Sequence, residues 1–292
     1  MKIIRHKKYF YYKVGLLSTV ALTLLVTFIY GYFIEPNTIS IERVTIKDPK
    51  FSKVLGDLKI VHLSDLHISE MGQREEAVLQ AIEQLKPDMI LVTGDIAQWQ
   101  VWPENAIKFI EQLKAPCGVF FVLGDADMSS GRGHCFFCHP HGNYHRLRNH
   151  PFFLRNETIK MKRPGGTFFL GGISPDLESD EEAASIIEQF LKDAQGAPLI
   201  LLSHFPRIWK FVPIKNHVLV LSGDTHGGQI WLPVFLWKLA GYKQVTDETG
   251  IEGLFSKGNG AFLYINPGIG TTRRFPFRIG VPPRIVIFEF RP

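Results

Sequence analysis

Ile60-Val61-His62-Leu63-Ser64-Asp65-Leu66-His67 is the stretch on which the reading of this chain turns. An apolar run ends in Asp-x-His, so a buried strand delivers one hard oxygen and one imidazole nitrogen to its carboxyl end, where open α/β sheets build their sites. Two side chains at i and i+2 on an extended tip point the same way, which lets Asp65 and His67 share one cation. Such a pair is common by chance. Its force comes from four later apolar runs that end alike: Leu91-Val92-Thr93-Gly94-Asp95, Val122-Leu123-Gly124-Asp125, Leu201-Leu202-Ser203-His204 and Val220-Leu221-Ser222-Gly223-Asp224-Thr225-His226. Five strands that each finish in Asp or His describe a polynuclear metal centre.

Outward from these ends, the pattern alternates strand and helix. Residues 73–86 place Ala77, Val78, Ala81, Ile82 and Leu85 on one helical face before Pro87 stops them, and a strand at 89–93 completes a β-α-β unit. A helix over 104–113 and a strand over 119–123 repeat the unit. Later come strands at 167–170, 199–202, 218–221, 261–265 and 284–290, with a helix over 181–194. Upstream, 39–46 alternates apolar and polar residues like an opening strand that Pro49 closes. The expected class is α/β, a mixed sheet system with helices outside.

The N-terminus reads differently. Lys2, Arg5, Lys7, Lys8 and Lys13 precede residues 14–34, which carry no charge over 21 positions, long enough to span a bilayer core. A cleaved signal would have a shorter apolar region and small residues at its exit, whereas Phe28, Tyr30, Tyr32 and Phe33 crowd this one like an interfacial belt. The expected organisation is a basic cytoplasmic tail (1–13), a single transmembrane anchor (14–34), a linker with the opening strand (35–56) and a catalytic domain (57–292). The flanking cations place that domain on the non-cytoplasmic side of the inner membrane, although Arg43, Lys47 and Lys50 weaken the bias. A net charge of +5 admits an anionic partner. Nucleic acid is not indicated, because no basic helix or basic-aromatic interleaving occurs and much of the excess sits at the chain's two ends.

The ordered set Asp65-Leu66-His67, Gly94-Asp95, Gly124-Asp125-Ala126-Asp127, Ser203-His204-Phe205-Pro206 and Gly223-Asp224-Thr225-His226-Gly227-Gly228-Gln229 resembles the calcineurin-like metallophosphoesterase superfamily. Leu154-Arg155-Asn156-Glu157, and Gly268-Ile269-Gly270 through Pro282-Pro283, further resemble its membrane-anchored bacterial branch, which includes enzymes similar to UDP-2,3-diacylglucosamine pyrophosphatase. The resemblance implies a four-layer α/β/β/α sandwich and two divalent ions bridged by one Asp. Carried over by position, metal one takes Asp65, His67, Asp95 and His226, while metal two shares Asp95 and adds Asp125, His204 and Asp224. Carboxylate and imidazole donors suit Mn, Mg, Fe or Zn. Two such ions clamp a phosphoryl group and stabilise charge on its leaving oxygen.

The chain departs from the family at two places. Gly124-Asp125-Ala126-Asp127 stands where the family usually has Gly-Asn-His-Asp/Glu, and Gly223-Asp224-Thr225-His226 where it has Gly-His-x-His. Two neutral donors of metal two have become Asp, and Ala126 removes the His that in many members protonates the leaving group, which leaves Asp127 as a possible proton donor.

Other features are less specific. Cys135-Phe136-Phe137-Cys138-His139-Pro140-His141, with His145, has spacing that fits an extra zinc site, a disulfide in an exported domain, or a polar loop. With only Cys117 besides, a four-Cys site is excluded. Arg207, Arg273, Arg274 and Arg278 are either phosphate contacts or solvated surface residues. Residues 232–239, Leu-Pro-Val-Phe-Leu-Trp-Lys-Leu, follow the last metal motif and read either as a segment that dips into a membrane interface or holds an acyl chain, or as an ordinary core strand or hairpin. The expected function is a membrane-anchored, metal-dependent hydrolase of a phosphodiester or pyrophosphate, its substrate anionic and lipid-linked in the manner of UDP-2,3-diacylglucosamine; the alternative is a metal-binding scaffold with little turnover. The expected placement outside the cytoplasm argues against that particular nucleotide lipid.

Overall fold

The computed structural model describes residues 2–99, 101–128, 152–177, 179–214, 216–241, 249–258 and 260–292, with the backbone alone for 2–10 and 152. The Cys135, Cys138, His139 and His141 cluster lies outside the described residues. The chain opens with α1 (Lys2–Ile29), which continues through a π turn at Tyr30–Ile34 and a 3-10 turn at Glu35–Asn37. Over Tyr11–Asn37 this element is long and apolar enough to cross a membrane, and almost none of it is buried against the rest of the chain.

Strand β1 (Ser40–Lys47) follows. Pro49 does more than end it. Asp48 caps a helix, α2 (Pro49–Leu55), by accepting from the amides of Lys50 and Phe51 at 2.9 and 3.0 Å, and Pro49 fills the first turn, where a missing N–H costs nothing. Next come β2 (Ile60–Leu63), α3 (Gln73–Leu85), β3 (Met89–Thr93), α4 (Glu104–Ile110) and β4 (Val119–Val122). After them lie β5 (Phe152–Phe153), β6 (Glu157–Arg163), β7 (Gly166–Ile173), α5 (Asp180–Ala194), β8 (Leu199–Ser203) and β9 (Val218–Ser222). A short helix α6 (Val234–Leu239) precedes β10 (Gly253–Lys257), β11 (Ala261–Ile265) and β12 (Arg284–Arg291).

Two six-stranded sheets result, ordered β1-β12-β2-β3-β4-β5 and β10-β11-β9-β8-β7-β6. Alternation along each buried strand assigns its side chains to two different cores. In β3, Met89 and Leu91 face the second sheet, meeting Leu170, Leu202 and Leu221, while Ile90 and Val92 face α3 and α4 through Val78, Ile82 and Phe109. In the second sheet Ile200 and Leu202 point inward and Leu199 and Leu201 outward, against Ile187 and Phe190 of α5 and Trp209. Helices, sheet, sheet and helices therefore stack as four layers, the sandwich the sequence implies. Each fully buried Leu or Ile in them contributes about 1.5–3 kcal/mol of transfer free energy. The parallel pairs β2·β3·β4 and β8·β9 fix the layout of the site, because parallel strands deliver their carboxyl ends to one edge.

Candidate metal centre

All five strand ends converge at that edge. His67 Nε2 lies 3.1 Å from His226 Nε2 and 3.2 Å from Asp95 Oδ2, and His226 Nε2 lies 3.5 Å from Asp65 Oδ1. On the other side, His204 Nε2 lies 3.5 Å from Asp95 Oδ1, 3.2 Å from Asp125 Oδ1 and 3.8 Å from Asp224 Oδ1. Three overlapping groups, Asp65–His67–His226, Asp65–Asp95–His204 and Asp125–His204–Asp224, each bring their donor atoms within 4.8 Å of one another. Asp95 is common ground, with one carboxylate oxygen toward His67 and the other toward His204.

The backbone is bent to achieve this. Asp65, His67, Asp95, Asp224 and His226 all have φ between 43° and 70°, the left-handed region that a non-glycine residue enters at a cost. Five of the seven candidates share a strained conformation, as expected where side chains must turn back toward one point. Gly223 meets a related demand. A Cβ there would lie 1.9 Å from Ser64 Oγ and 2.1 Å from Asp65 Oδ2, so only glycine lets the fifth strand end approach the first.

The donor set fits divalent cations. His204 Nδ1 is 2.9 Å from the Thr93 carbonyl, which fixes the proton on that nitrogen and turns the lone pair of Nε2 inward. Nε2 is buried yet makes no hydrogen bond of good geometry, though three carboxylates surround it. Burial drives the Asp65 carboxyl up to about 7, with Asp95 adding to the push and His204 opposing it. Burial acts the same way on Asp95, but His204 and His67 overcome it and hold that carboxyl low. Burial, then His67 and Arg278, keeps His226 well below the ordinary imidazole value, so its neutral form can offer a lone pair. For His204 burial is outweighed by the carboxylates, first Asp95, and its pKa is raised. Acids crowded among histidines in a dry pocket are what a cation would relieve.

The centre floors a cleft of about 770 Å³. Arg274 lies on its wall with its guanidinium 5.6 Å from the ring centre of Trp99, and Arg273 and Thr272 line it beside them. Arg207 does not join them. It stacks over Phe205 at 4.9 Å and lines a separate small cavity with Phe211. Arg278 is neither a phosphate contact nor solvated: it is fully buried and donates to the carbonyls of Pro267, Gly268, Gly270 and Val281. Asp127 is also spoken for. Its two oxygens accept from the amides of Ile96, Ala97 and Gly124 at 3.0–3.2 Å, which locks the loop after β3 to the loop after β4 and removes it as a proton donor over the cleft. Ala126 leaves its amide to Asp95 Oδ1 at 2.9 Å.

The sequence reading missed Gln98 and Trp99 as cleft wall. The signal was present, since they sit three and four residues beyond a strand-end Asp.

The family model for calcineurin-like phosphoesterases matches residues 58–228, more than half of the chain. The chain belongs to the calcineurin-like phosphoesterase family. It is accordingly a metal-dependent phosphoester hydrolase. Among curated relatives, it is 28% identical over 329 residues to UDP-2,3-diacylglucosamine pyrophosphatase LpxG of Chlamydia muridarum (strain MoPn / Nigg), covering 93% of this chain and 97% of that protein. It is 28% identical over 298 residues to the uncharacterized metallophosphoesterase YkuE of Bacillus subtilis (strain 168), covering 95% and 94%. A solved structure described as GAP50, the anchor in the inner membrane complex of Plasmodium, is similar at 16% identity with a TM-score of 0.38, over 57% of this chain and 65% of that one. Within this phosphoesterase the family's divalent metals have a matching cluster of acidic and imidazole side chains.

Proposed function

We propose that this phosphoesterase is a membrane-anchored hydrolase of a lipid-linked phosphodiester or pyrophosphate that works with two divalent ions. The observation that carries the reading is the convergence of seven acidic and imidazole side chains in three overlapping donor groups. Asp65, His67, Asp95 and His226 would hold one ion, and Asp95, Asp125, His204 and Asp224 the other. Asp95 suits a shared role because its two oxygens face different histidines. Ions bound there would supply Lewis acidity toward a phosphoryl oxygen. Arg273 and Arg274 would orient the phosphate from the wall, and Trp99, under Arg274, offers a flat surface for the rest of the substrate. With Ala126 in place of a general acid and Asp127 engaged by amides, a leaving-group proton has to come from solvent. Similarity to a diacylglucosamine pyrophosphatase supports the lipid-linked substrate class.

Charge supplies the test. Four carboxylates against two divalent ions leave the centre near neutral, and extra anionic donors make each ion a weaker Lewis acid. A carboxylate-rich site also favours Mg or Mn over Zn. The expected result is slow hydrolysis of an aryl phosphodiester with Mn or Mg, and a higher kcat in the double change Asp125→Asn with Asp224→His. Metal stoichiometry and kcat are measured for both proteins with Zn, Mn and Mg. An unmodified protein that binds no metal sinks the dinuclear reading; one that runs fastest with Zn sinks the charge argument.

Topology is separately testable. Five cations before the uncharged span support an orientation with the catalytic domain outside the cytoplasm. Protease added to intact spheroplasts is expected to digest it, and a domain that survives until the cells are lysed has the opposite orientation.

A further inference from the structure

No residue of helix α6 is fully buried; Leu236 and Trp237 are half-buried, with the Trp237 ring against Gly228. Trp231, Leu232, Val234, Phe235 and Leu239 are all exposed, Phe235 at 66% and Leu239 at 82%. Single exposed apolar side chains are ordinary, but five within nine positions make a patch that water alone does not suit. The segment is thus not the core strand or hairpin that was one of its two expected readings.

The neighbours of this patch indicate what covers it. Ile230 bridges to Ile279, and the Trp231 amide donates to the Ile279 carbonyl at 2.8 Å. Ile279 in turn lies against the exit of α1: a Cβ on Gly31 would come within 2.7 Å of its side chain, and the Arg278 amide donates to the Gly31 carbonyl at 2.9 Å. Phe277 stands 5.1 Å from Phe28 and 5.3 Å from Tyr32 in edge-on contacts, and Phe275 stands 5.5 Å from Phe277. One apolar strip therefore runs from the end of the anchor through Ile279 to Trp231 and α6, with Phe277 and Phe275 beside the anchor's exit. The same loop carries Thr272, Arg273 and Arg274 on the cleft wall. Gln229 ties the two together, accepting from the Thr272 amide at 2.9 Å and donating to the Phe277 carbonyl at 2.9 Å.

We infer that α6, with Trp231, Leu232 and Phe275, is a second membrane contact, seated in the headgroup–acyl boundary of the leaflet at which α1 ends, so that the cleft opens at headgroup level. The inference rests on reading α1 as a membrane anchor. The chemistry of the strip fits a lipid interface: Trp and Phe at the boundary, Leu deeper, and Lys238 with a stem long enough to return its ammonium to the headgroups. A lipid-linked substrate could then keep its acyl chains in the leaflet and present only its phosphate to Arg273 and Arg274. The cost of extracting an acyl chain into water, about 0.8 kcal/mol per methylene, is avoided.

The full chain reconstituted in vesicles of equal parts phosphatidylglycerol and phosphatidylethanolamine tests this. Lipids brominated along the acyl chain are expected to quench tryptophan emission, and Trp231→Phe to remove about half or more of that quenching. Separately, Phe235→Ser with Leu239→Ser is expected to lower the ratio of lipid-embedded to water-soluble phosphodiester hydrolysis about ten-fold, the cost of roughly 1.4 kcal/mol in productive contact. Quenching that Trp231→Phe leaves unchanged, or a ratio that does not move, overturns the inference. So does cross-linking of α6 to α6 of a second copy without bromine quenching. A protein without any hydrolysis would fail the catalytic reading instead, and the quenching result would still decide the membrane contact.

Discussion

Asp95→Ala is expected to lower kcat on an aryl phosphodiester by on the order of a thousand-fold, because it removes a carboxylate that two ions would share. Several kcal/mol of charge stabilisation, at about 1.4 kcal/mol per decade of rate, give that size. The substitution also frees the Ala126 amide and takes from His67 and His204 the carboxylate that each of them faces. Metal content should fall with rate, and elemental analysis of the purified variant reads it directly. A protein that keeps the normal rate, or that loses rate while retaining two tightly bound ions, would show that Asp95 does not bridge. A thermal melt separates this from simple unfolding, since Asp95, although buried, lies in the loop after β3 at the floor of the cleft and not within a core layer.

Arg278→Met is expected to cost about 3–5 kcal/mol of stability, the penalty typical of breaking a fully buried charged network. One guanidinium satisfies four backbone carbonyls of residues 267–281, and the arginine and all four of these residues are buried. Methionine fills the space but leaves those acceptors unpaired. For a domain of this size the melting midpoint should drop by roughly 10 °C. Arg278→Lys should recover part of the loss, as one ammonium can meet some of the carbonyls but cannot match the planar fork. A drop below about 3 °C for the methionine variant would mean that the loop holds its shape without the arginine. Burial lowers the Arg278 pKa to about 9, still far enough above neutrality to keep the charge in place.

Much of the fold was legible because its central strands are parallel and covered on both faces. Such strands must be apolar throughout, so Met89–Thr93 and Val218–Ser222 stand out as runs, and the polar residue that ends each one marks the sheet edge. The candidate site could be read for the same reason, one strand end at a time. Of the edge strands only β1 was legible; β5, β6 and β10 were not. In Glu157–Arg163, Ile159 and Met161 alternate with Lys160 and Lys162, but no residue is fully buried and two apolar side chains are too short a run to stand out from a surface loop. Nor does any local pattern reveal Arg278, whose partners are carbonyls with no side-chain signature, or Asp127, whose engagement depends on two loops meeting across the edge. Arg207 looked eligible by residue type alone; only the three-dimensional path of Pro206–Phe211 puts it on another face.

The order of strands in the first sheet bears on how the protein is made. β12 lies between β1 and β2, pairing with β1 along Ser40↔Arg284 to Lys47↔Arg291 and with β2 through Phe288↔Ile60. β1 thus waits for β12, and that sheet cannot close until residues 284–291 have been made. Contacts of such long sequence separation fold slowly and expose open strand edges meanwhile. For a chain that would insert α1 into a membrane and pass the following domain across, the delay is useful: that sheet stays unclosed, and threadable, until β12 has emerged.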